Sequence, residues 1–229
     1  MTDNLIFIAA ISAYILFVGK FLHQSFIWFR VSSPAYVPYH LKRAELASAF
    51  VPTILDMVFF RRVFAMSKML WVGSWLFHIS FLFVVLRHLR YFFTSIPDCV
   101  VFFQPVGVAA GYLLPSALLF LLVMRAMKKK DQYVSAYNRF ISSMLLFISL
   151  SGLLMRNYFR ADLLEVKRFT LGIMALSPQS VPDDLTFLFH VGLFILLLPF
   201  LPVHLFAAPL VTLEANMRSE GLKYIIHEK

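Results

Sequence analysis

Charged residues and cysteines are scarce in this chain of 229 residues. Only 14% of the residues are charged, against about a quarter in soluble globular domains. The single cysteine, Cys99, excludes an internal disulfide, a four-cysteine iron–sulfur cluster and a cysteine-rich zinc site. Neither G-x-G-x-x-G nor G-x-x-x-x-G-K-[ST] occurs, so the sequence has no nucleotide-binding motif of these kinds.

Apolar residues are abundant instead. They make up 60% of the chain, and phenylalanine alone occurs 26 times. A soluble fold of this length cannot bury that much apolar surface, and disorder, collagen and coiled coil do not fit the composition. Apolar runs of about 20 residues recur along the chain, which is typical of transmembrane helices. The composition therefore predicts a multi-pass membrane protein.

Five apolar runs are long enough to cross a bilayer, and they predict an all-α, five-helix membrane bundle. The amino terminus lacks the basic region of a signal peptide, so we expect the first run to be a retained span. A shorter run, Leu46–Phe60, contains Pro52 and Asp56, and we interpret it as an interfacial or re-entrant helix. The predicted spans are residues 5–29, 69–93, 105–127, 140–159 and 185–210.

The distribution of lysine and arginine predicts the orientation. Fourteen of the 21 basic residues lie in the connections and tail on one side of the predicted spans, and six lie on the other. This asymmetry places the amino terminus outside and the tail, residues 211–229, in the cytoplasm. The net charge of +9 therefore does not indicate nucleic acid. Topology alone explains the basic loops, although anionic lipid or an acidic partner surface could also bind there.

Two further segments carry a pattern. Residues 161–176 mix charged and apolar side chains, which predicts an amphipathic helix on the outer face. Gly107 and Gly111 have the G-x-x-x-G spacing in the third run, which favours close helix packing. A flat cofactor lying against a glycine is the less common interpretation.

Four histidines lie within the apolar runs: His78 and His88 in the second, and His190 and His204 in the fifth. Ionisable groups inside a membrane are costly and by default functional. Spacings of 10 and 14 residues let each pair face one seam of a left-handed bundle, whose repeat is about 3.5 residues. Packing alone does not explain four such residues on two helices.

The predicted topology also sets the depths of these histidines. Because the two runs are antiparallel, His78 and His204 lie toward the cytoplasmic side, and His88 and His190 toward the outer side. The helical rise puts about 15 Å between the levels on the second run and about 21 Å on the fifth. Tilt and bending at the prolines of the fifth run can absorb the difference. We therefore expect His78 to pair with His204, and His88 with His190.

Two histidine pairs stacked across a bilayer suggest two b-type haems, since each iron needs two axial ligands and imidazole is a strong one. The single cysteine excludes covalent attachment through C-x-x-C-H. Zinc fits less well, because each level supplies only two ligands. Arg87 and Arg90, beside His88, could neutralise haem propionates, and interfacial anchoring is the alternative reading of these arginines.

At these residues the chain resembles the di-haem cytochrome b family of the nitrate reductase gamma subunit. The likeness is closer to the membrane subunits of sulfite-reduction-associated complexes, the DsrM type. It covers roughly residues 5–208 and includes the segments 75–78, 86–91, 154–162 and 166–169 as well as His190 and His204. The resemblance implies a five-helix bundle in a prokaryotic cytoplasmic membrane, two haems between the second and fifth spans, and a quinone site near the outer haem. By position, His78 and His204 would hold the inner haem iron, and His88 and His190 the outer one.

The leading hypothesis is electron relay between a membrane quinone, menaquinone by preference, and a soluble partner on the cytoplasmic face. Because this chain has no cysteine set for a cluster, a second subunit, expected to be an iron–sulfur protein, must carry the electrons onward. Further periplasmic or membrane subunits could complete the complex. Two alternatives are a proton-coupled transporter or channel that uses the histidines as a relay, and a structural anchor for a soluble enzyme.

The quinone headgroup is expected on the outer side, close to His88, because a quinol needs hydrogen-bond partners and a proton route to water. An ordinary interfacial belt of basic and aromatic residues is the alternative. The candidate contacts to propionate or quinone are Arg87, Arg90, Tyr91, Tyr158 and Arg160, with Asp98 or Asp183 taking protons onward. On the cytoplasmic side, the residues expected to dock the partner are Arg61, Arg62, Lys128, Lys129 and Lys130.

Overall fold

The computed structural model describes residues 2–31, 43–127, 136–206, 209–210, 212–213 and 215–217. These residues form nine bounded α-helices, with further helical residues at 201–206, 209–210, 212–213 and 215–217, and no strand occurs among them. The helices are α1 (Thr2–Val31), α2 (Arg43–Phe59), α3 (Arg61–Met66), α4 (Lys68–His88), α5 (Asp98–Phe102), α6 (Gln104–Ala126), α7 (Ala136–Asn157), α8 (Leu163–Met174) and α9 (Leu185–Leu197). Short 3₁₀ turns follow α4 at Leu89–Tyr91 and α9 at Leu198–Phe200.

Five helical segments are long and apolar enough to cross a membrane. The expectation of an all-α membrane protein with five spans is therefore confirmed. We number these segments spans one to five: Asp3–Ile27, Lys68–Tyr91, Gln104–Ala126, Ala136–Asn157 and Leu185–Phe206. Which side of the bilayer each end faces stays a prediction, and "outer" below means the side predicted to face outward.

Contacts within the chain divide it into two compact units. Unit 1 comprises Met1–Leu16 and Val72–Pro199, and unit 2 comprises Phe17–Trp71 and Phe200–Lys229. His78, His88 and His190 belong to unit 1, and His204 belongs to unit 2. Each unit is described by itself below.

In unit 1, α7 packs against both α6 and α9. Helix α6 supplies the most regular buried face: Gly107, Ala110, Leu114, Ala117 and Leu121 are all buried. Their alternating spacing of three and four residues is the pattern of helices that cross at a shallow left-handed angle. This face makes α6 the most buried of the five spans.

Helix α4 also packs against α6, at Gly73 and again at Arg87, fourteen residues later. A Cβ atom at Gly73 would lie 2.7 Å from the ring of Phe120, so these helices approach closely. Farther along, a Cβ at Gly107 would lie 2.8 Å from the Cβ of Arg87. The expected close packing is thus present at Gly107. A Cβ at Gly111 would meet no atom of the described residues within 4 Å, so this glycine does not share in the contact.

The amphipathic stretch forms helix α8, as predicted. The Asp162 side chain caps it by accepting a hydrogen bond from Leu164 N at 2.7 Å. Its apolar side buries Val166 and Phe169 against Phe187 of α9, with the two phenylalanine rings edge to face at 5.9 Å. Helix α8 is thereby fixed near the start of α9, the helix that carries His190.

Unit 2 contains the shorter apolar run, which forms α2 with Pro52 inside it. The helix ends where Phe60 adopts a left-handed conformation, φ 50° and ψ 39°, before α3 begins. At about 1.5 Å per residue, its 17 residues make about 26 Å, less than the five spans, which have 22–25 residues. The choice between an interfacial and a re-entrant helix stays a prediction.

Candidate functional site

The rings of His88 on α4 and His190 on α9 lie close together in unit 1. Their ring centroids are 6.4 Å apart and their planes differ by only 12°. Metal–imidazole bonds are about 2 Å long, so two imidazoles on opposite sides of one ion have ring centres about 6 Å apart. This spacing would suit two imidazoles bound to a single metal ion. The structure brings the two residues together, and their binding of one iron stays a prediction.

Hydrogen bonds fix which ring nitrogen of each histidine is available. His88 Nδ1 lies 2.7 Å from the carbonyl oxygen of Val84, which can only accept, so Nδ1 carries the proton. His190 Nδ1 lies 2.9 Å from Ser151 Oγ, and that hydroxyl already donates to Ile148 O at 2.8 Å. His190 Nδ1 must therefore also donate. In each neutral ring Nε2 then carries no proton, and its lone pair is available to a metal ion.

Helix α7 approaches the ring of His190 through a glycine. A Cβ atom at Gly152 would lie 3.3 Å from His190 Cε1 and 3.7 Å from Nδ1. A larger residue would press against the ring. Ser151 and Gly152 were not singled out by the sequence reasoning. A small polar pair inside an apolar span was the only available signal, and it is common at helix interfaces in membranes.

Three arginines gather at the outer ends of spans two and four. Arg87 lies within electrostatic range of both Arg90 and Arg156. The Nε atoms of Arg87 and Arg90 are buried and have no hydrogen-bond partner. Arg90 donates a hydrogen bond to Tyr91 Oη and lies over that ring, 4.6 Å from its centroid.

These arginine charges have no counter-ion within the described part of the chain. No carboxylate there forms an ion pair with Arg87, Arg90 or Arg156; the ion pairs shown both involve Asp56 in unit 2. Uncompensated cations with orphaned donors are suited to an anionic group. The haem propionates expected beside His88 have that chemistry, so the arginines, together with the imidazole pair, fit the group.

The other outer residues named from the sequence lie apart from this cluster or at its edge. The ring of Tyr91 is 6.1 Å from that of His88. Tyr158 is 76% exposed, and Arg160 is exposed as well. Asp98 and Asp183 are also exposed. Their assigned roles in binding quinone or moving protons stay predictions.

One polar contact near Arg87 was missed. Tyr112 Oη on span three donates a hydrogen bond to Asn157 Oδ1 on span four at 2.7 Å, and Tyr112 lies within electrostatic range of Arg87. The pair adds a hydroxyl and an amide to the arginine cluster. Its signal in the sequence was weak, because a tyrosine eight residues into a span also suits ordinary interfacial anchoring.

In the second expected pair, His78 and His204, the ring of His78 makes the same hydrogen bond to its own helix as His88 does. His78 Nδ1 lies 2.7 Å from the carbonyl oxygen of Ser74, one turn earlier, so it too donates to its own helix. The Phe77 ring is edge-on to it at 4.6 Å. The pairing of His78 with His204 stays a prediction, because the two residues belong to different units.

On the predicted cytoplasmic side, Arg62 already forms hydrogen bonds within the chain. Its guanidinium donates to Asp56 Oδ2 at 3.1 Å and to Asn216 Oδ1 at 2.7 Å. Asn216 in turn donates to Thr53 Oγ1 and to Asp56. Arg61 is 4.0 Å from Asp56 and its side chain is 60% exposed. Of the expected docking residues, Arg61 is therefore the more available, and Lys128–Lys130 lie outside the described residues.

A metal site of the zinc type is not seen in the described ranges. No three histidine, cysteine, aspartate or glutamate side chains converge there on one point. A bis-histidine haem site needs only two protein ligands, and the His88–His190 pair has that number.

The fold is that of a multi-pass membrane protein, and it brings one histidine of span two and one of span five close together. Among known proteins, the chain is 33% identical over 175 residues to the "Hdr-like menaquinol oxidoreductase cytochrome b-like subunit" of Archaeoglobus profundus, covering 68% of this chain and 52% of that protein. It is 31% identical over 119 residues to the protein of the same name from Archaeoglobus fulgidus, covering 47% and 36%. The chain thus spans about half the length of the first relative and about a third of the second. No family model and no solved structure matches it.

Similarity to cytochrome b-like subunits supports a role in membrane electron transfer. The narrower expectation of a nitrate reductase gamma or DsrM-type subunit is not confirmed by these relatives.

Proposed function

We propose that this chain is a membrane cytochrome b subunit that holds two b-type haems and relays electrons between a quinol and a soluble partner. The observation that carries the proposal is the His88–His190 pair, with parallel rings 6.4 Å apart and both Nδ1 atoms engaged as donors. When bound, haem iron supplies one-electron transfer. Both relatives are named as subunits of a menaquinol oxidoreductase, which supports menaquinol as the quinol.

The residues of this chain have separate tasks in that role. His88 and His190 present Nε2 from opposite sides, and the hydrogen bonds at Nδ1 keep their rings from turning. Arg87 and Arg90 supply the positive charge that two propionates require. His78 and His204 are proposed to hold a second haem toward the cytoplasmic side. Two observations support this pair. The sequence predicts both residues toward the cytoplasmic side of the membrane, and His78 Nδ1 donates a hydrogen bond to Ser74 O.

Quinol oxidation is proposed at the outer side, near His88. A quinol that becomes a quinone releases two electrons and two protons, and the electrons would pass inward while the protons leave to the outer water. The Tyr91 ring lies 6.1 Å from that of His88, and Arg90 donates a hydrogen bond to Tyr91. Tyr112 and Asn157 form a second hydrogen-bonded pair, with Tyr112 in electrostatic range of Arg87. Protons would then leave on the outer side and electrons on the cytoplasmic side, and this separation of charge across the membrane conserves energy.

A partner on the cytoplasmic side is required by the same reasoning. The single cysteine excludes an iron–sulfur cluster held by this chain alone, so an iron–sulfur subunit is proposed to exchange electrons with the inner haem. Arg61 is an exposed basic residue of the described part of that side. Lys128–Lys130 extend the basic character along the sequence.

The first test is the reduced-minus-oxidised visible spectrum of the purified protein, with haem content measured per chain. Two b-type haems per chain are expected. A protein that carries no haem, after expression in a host that loads other cytochromes b, would refute the proposal and favour a histidine relay for protons.

The second test separates the two sites. His88→Ala and His190→Ala should each remove the same haem and leave the other, whereas the matched control His23→Ala on α1 should keep both. Loss of one haem by His88→Ala and of the other by His190→Ala would show that the two residues do not share an iron.

A further inference from the structure

The two histidines of the outer pair are held in different ways. His88 donates to a carbonyl of its own helix, that of Val84. His190 instead donates across to another helix, to the hydroxyl of Ser151 on α7. The orientation of His88 is thus set by its own helix, and that of His190 by α7, where the Ser151 hydroxyl and the backbone carbonyl of Ile148 both lie within hydrogen-bonding range.

The Ser151 hydroxyl is suited to accept the hydrogen bond from His190. It is 2% exposed, so water does not compete for its hydroxyl. Its proton points to Ile148 O, 2.8 Å away, which leaves the oxygen lone pairs toward His190. A hydroxyl that donates to a carbonyl is polarised and becomes a better acceptor. The neighbouring Gly152 lets the backbone of α7 come within van der Waals contact of the same ring.

We propose that Ser151 is a positioning residue for His190, which sets the orientation of that imidazole and the reduction potential of the haem it binds. The proposal rests on the proposed function for its effect on potential, but the hydrogen bond itself does not depend on bound haem. A stronger acceptor at Nδ1 makes the imidazole a more basic ligand and favours the oxidised iron. Loss of the acceptor should favour the reduced iron and raise the potential.

The test uses Ser151→Ala and a matched control, Ser149→Ala. Ser149 lies two residues before Ser151 on α7. Its hydroxyl also donates to a helix carbonyl, Leu146 O at 2.8 Å, but it makes no hydrogen bond to a histidine of the described residues. Ser151→Thr keeps a hydroxyl and serves as the conservative rescue. Removing groups that orient metal ligands typically changes metal affinity by 10–100-fold.

In redox titrations, Ser151→Ala should retain both haems and raise the potential of one. We expect at least a tenfold change in the relative affinity for the two iron states, which is about 59 mV for a one-electron couple. The low-temperature EPR signal of the same haem should shift, because the ligand plane is free to turn. Ser149→Ala should match the wild type, and Ser151→Thr should restore most of the potential.

A haem-free arm separates this proposal from the proposed function. With ¹⁵N-labelled histidine in protein prepared without haem, the Nδ1–H form of His190 should dominate in the wild type and in Ser149→Ala, and should be reduced in Ser151→Ala. An unchanged tautomer in Ser151→Ala, or equal changes in both alanine variants, would overturn the role of Ser151 whether or not haem binds. A wild type that shows the tautomer but takes up no haem would refute the proposed function alone.

Discussion

The contact between Gly107 and Arg87 makes a sharp prediction about stability, because an identical residue one turn away serves as its control. An alanine Cβ at position 107 would lie 2.8 Å from Arg87 Cβ and 3.0 Å from the backbone oxygen of Phe83. The Phe83 oxygen belongs to the helix backbone and cannot turn aside, so α4 and α6 must separate. At Gly111, an added Cβ meets no described atom within 4 Å.

The magnitude follows from two opposing effects. Replacing glycine by alanine in a helix gains up to about 1 kcal/mol at either site. Overpacking at position 107 costs about 1–3 kcal/mol, and position 111 has no such cost. The free energy of unfolding of Gly107→Ala should therefore be lower than that of Gly111→Ala by about 1–3 kcal/mol.

The measurement is reversible unfolding of both purified variants in mixed micelles, followed by circular dichroism. The visible spectrum of the proposed haem gives a second readout, because a displaced Arg87 also moves away from its place beside His88. Equal stability of the two variants would refute the close approach of α4 and α6 at this point. A Gly111→Ala variant that is the less stable of the two would refute the reasoning as a whole.

Three further predictions concern other parts of the chain. Asn216→Ala should lower the free energy of unfolding by about 1–3 kcal/mol, since it removes the hydrogen bonds that join Asn216 to Arg62, Asp56 and the buried Thr53, and thermal unfolding measures it. Arg61→Glu should weaken binding of the soluble partner in a salt-dependent way with haem content unchanged; unchanged binding would leave this charge with a role in topology alone. Arg90→Ala should slow haem reduction by menaquinol in stopped-flow measurements, and a rate equal to that of the wild type would move the quinol site elsewhere.

The spans and the outer histidine pair could be predicted from the sequence for a physical reason. A bilayer imposes a minimum length on each apolar helix, and it makes every ionisable residue within one conspicuous. Antiparallel order then fixed the depth of each histidine without knowledge of the packing. The pairing of His88 with His190 needed no more than this.

The details around that pair depend on helix rotation, which spacing alone does not determine. Gly107 and Gly111 form one motif in the sequence, yet only Gly107 meets another helix. Ser149 and Ser151 are equally polar and almost adjacent, yet the hydroxyl of Ser151 is the one shown bonded to His190. Arg62 resembled a free docking charge because its partner Asn216 lies 154 residues away along the chain.

Helix α4 shows how one span combines packing with ligand binding. The row Gly73, Ser80 and Arg87 recurs every seven residues, and its first and last members pack against α6. His78 and His88 lie about 100–150° around the helix from that row, so the face that fixes the helix is separate from the face that carries the ligands. Because each histidine also donates to a carbonyl one turn earlier, its ring is fixed by α4 itself. The neighbouring helices then need to set only the position of α4, whereas His190 needs a side chain from α7 to set its ring as well.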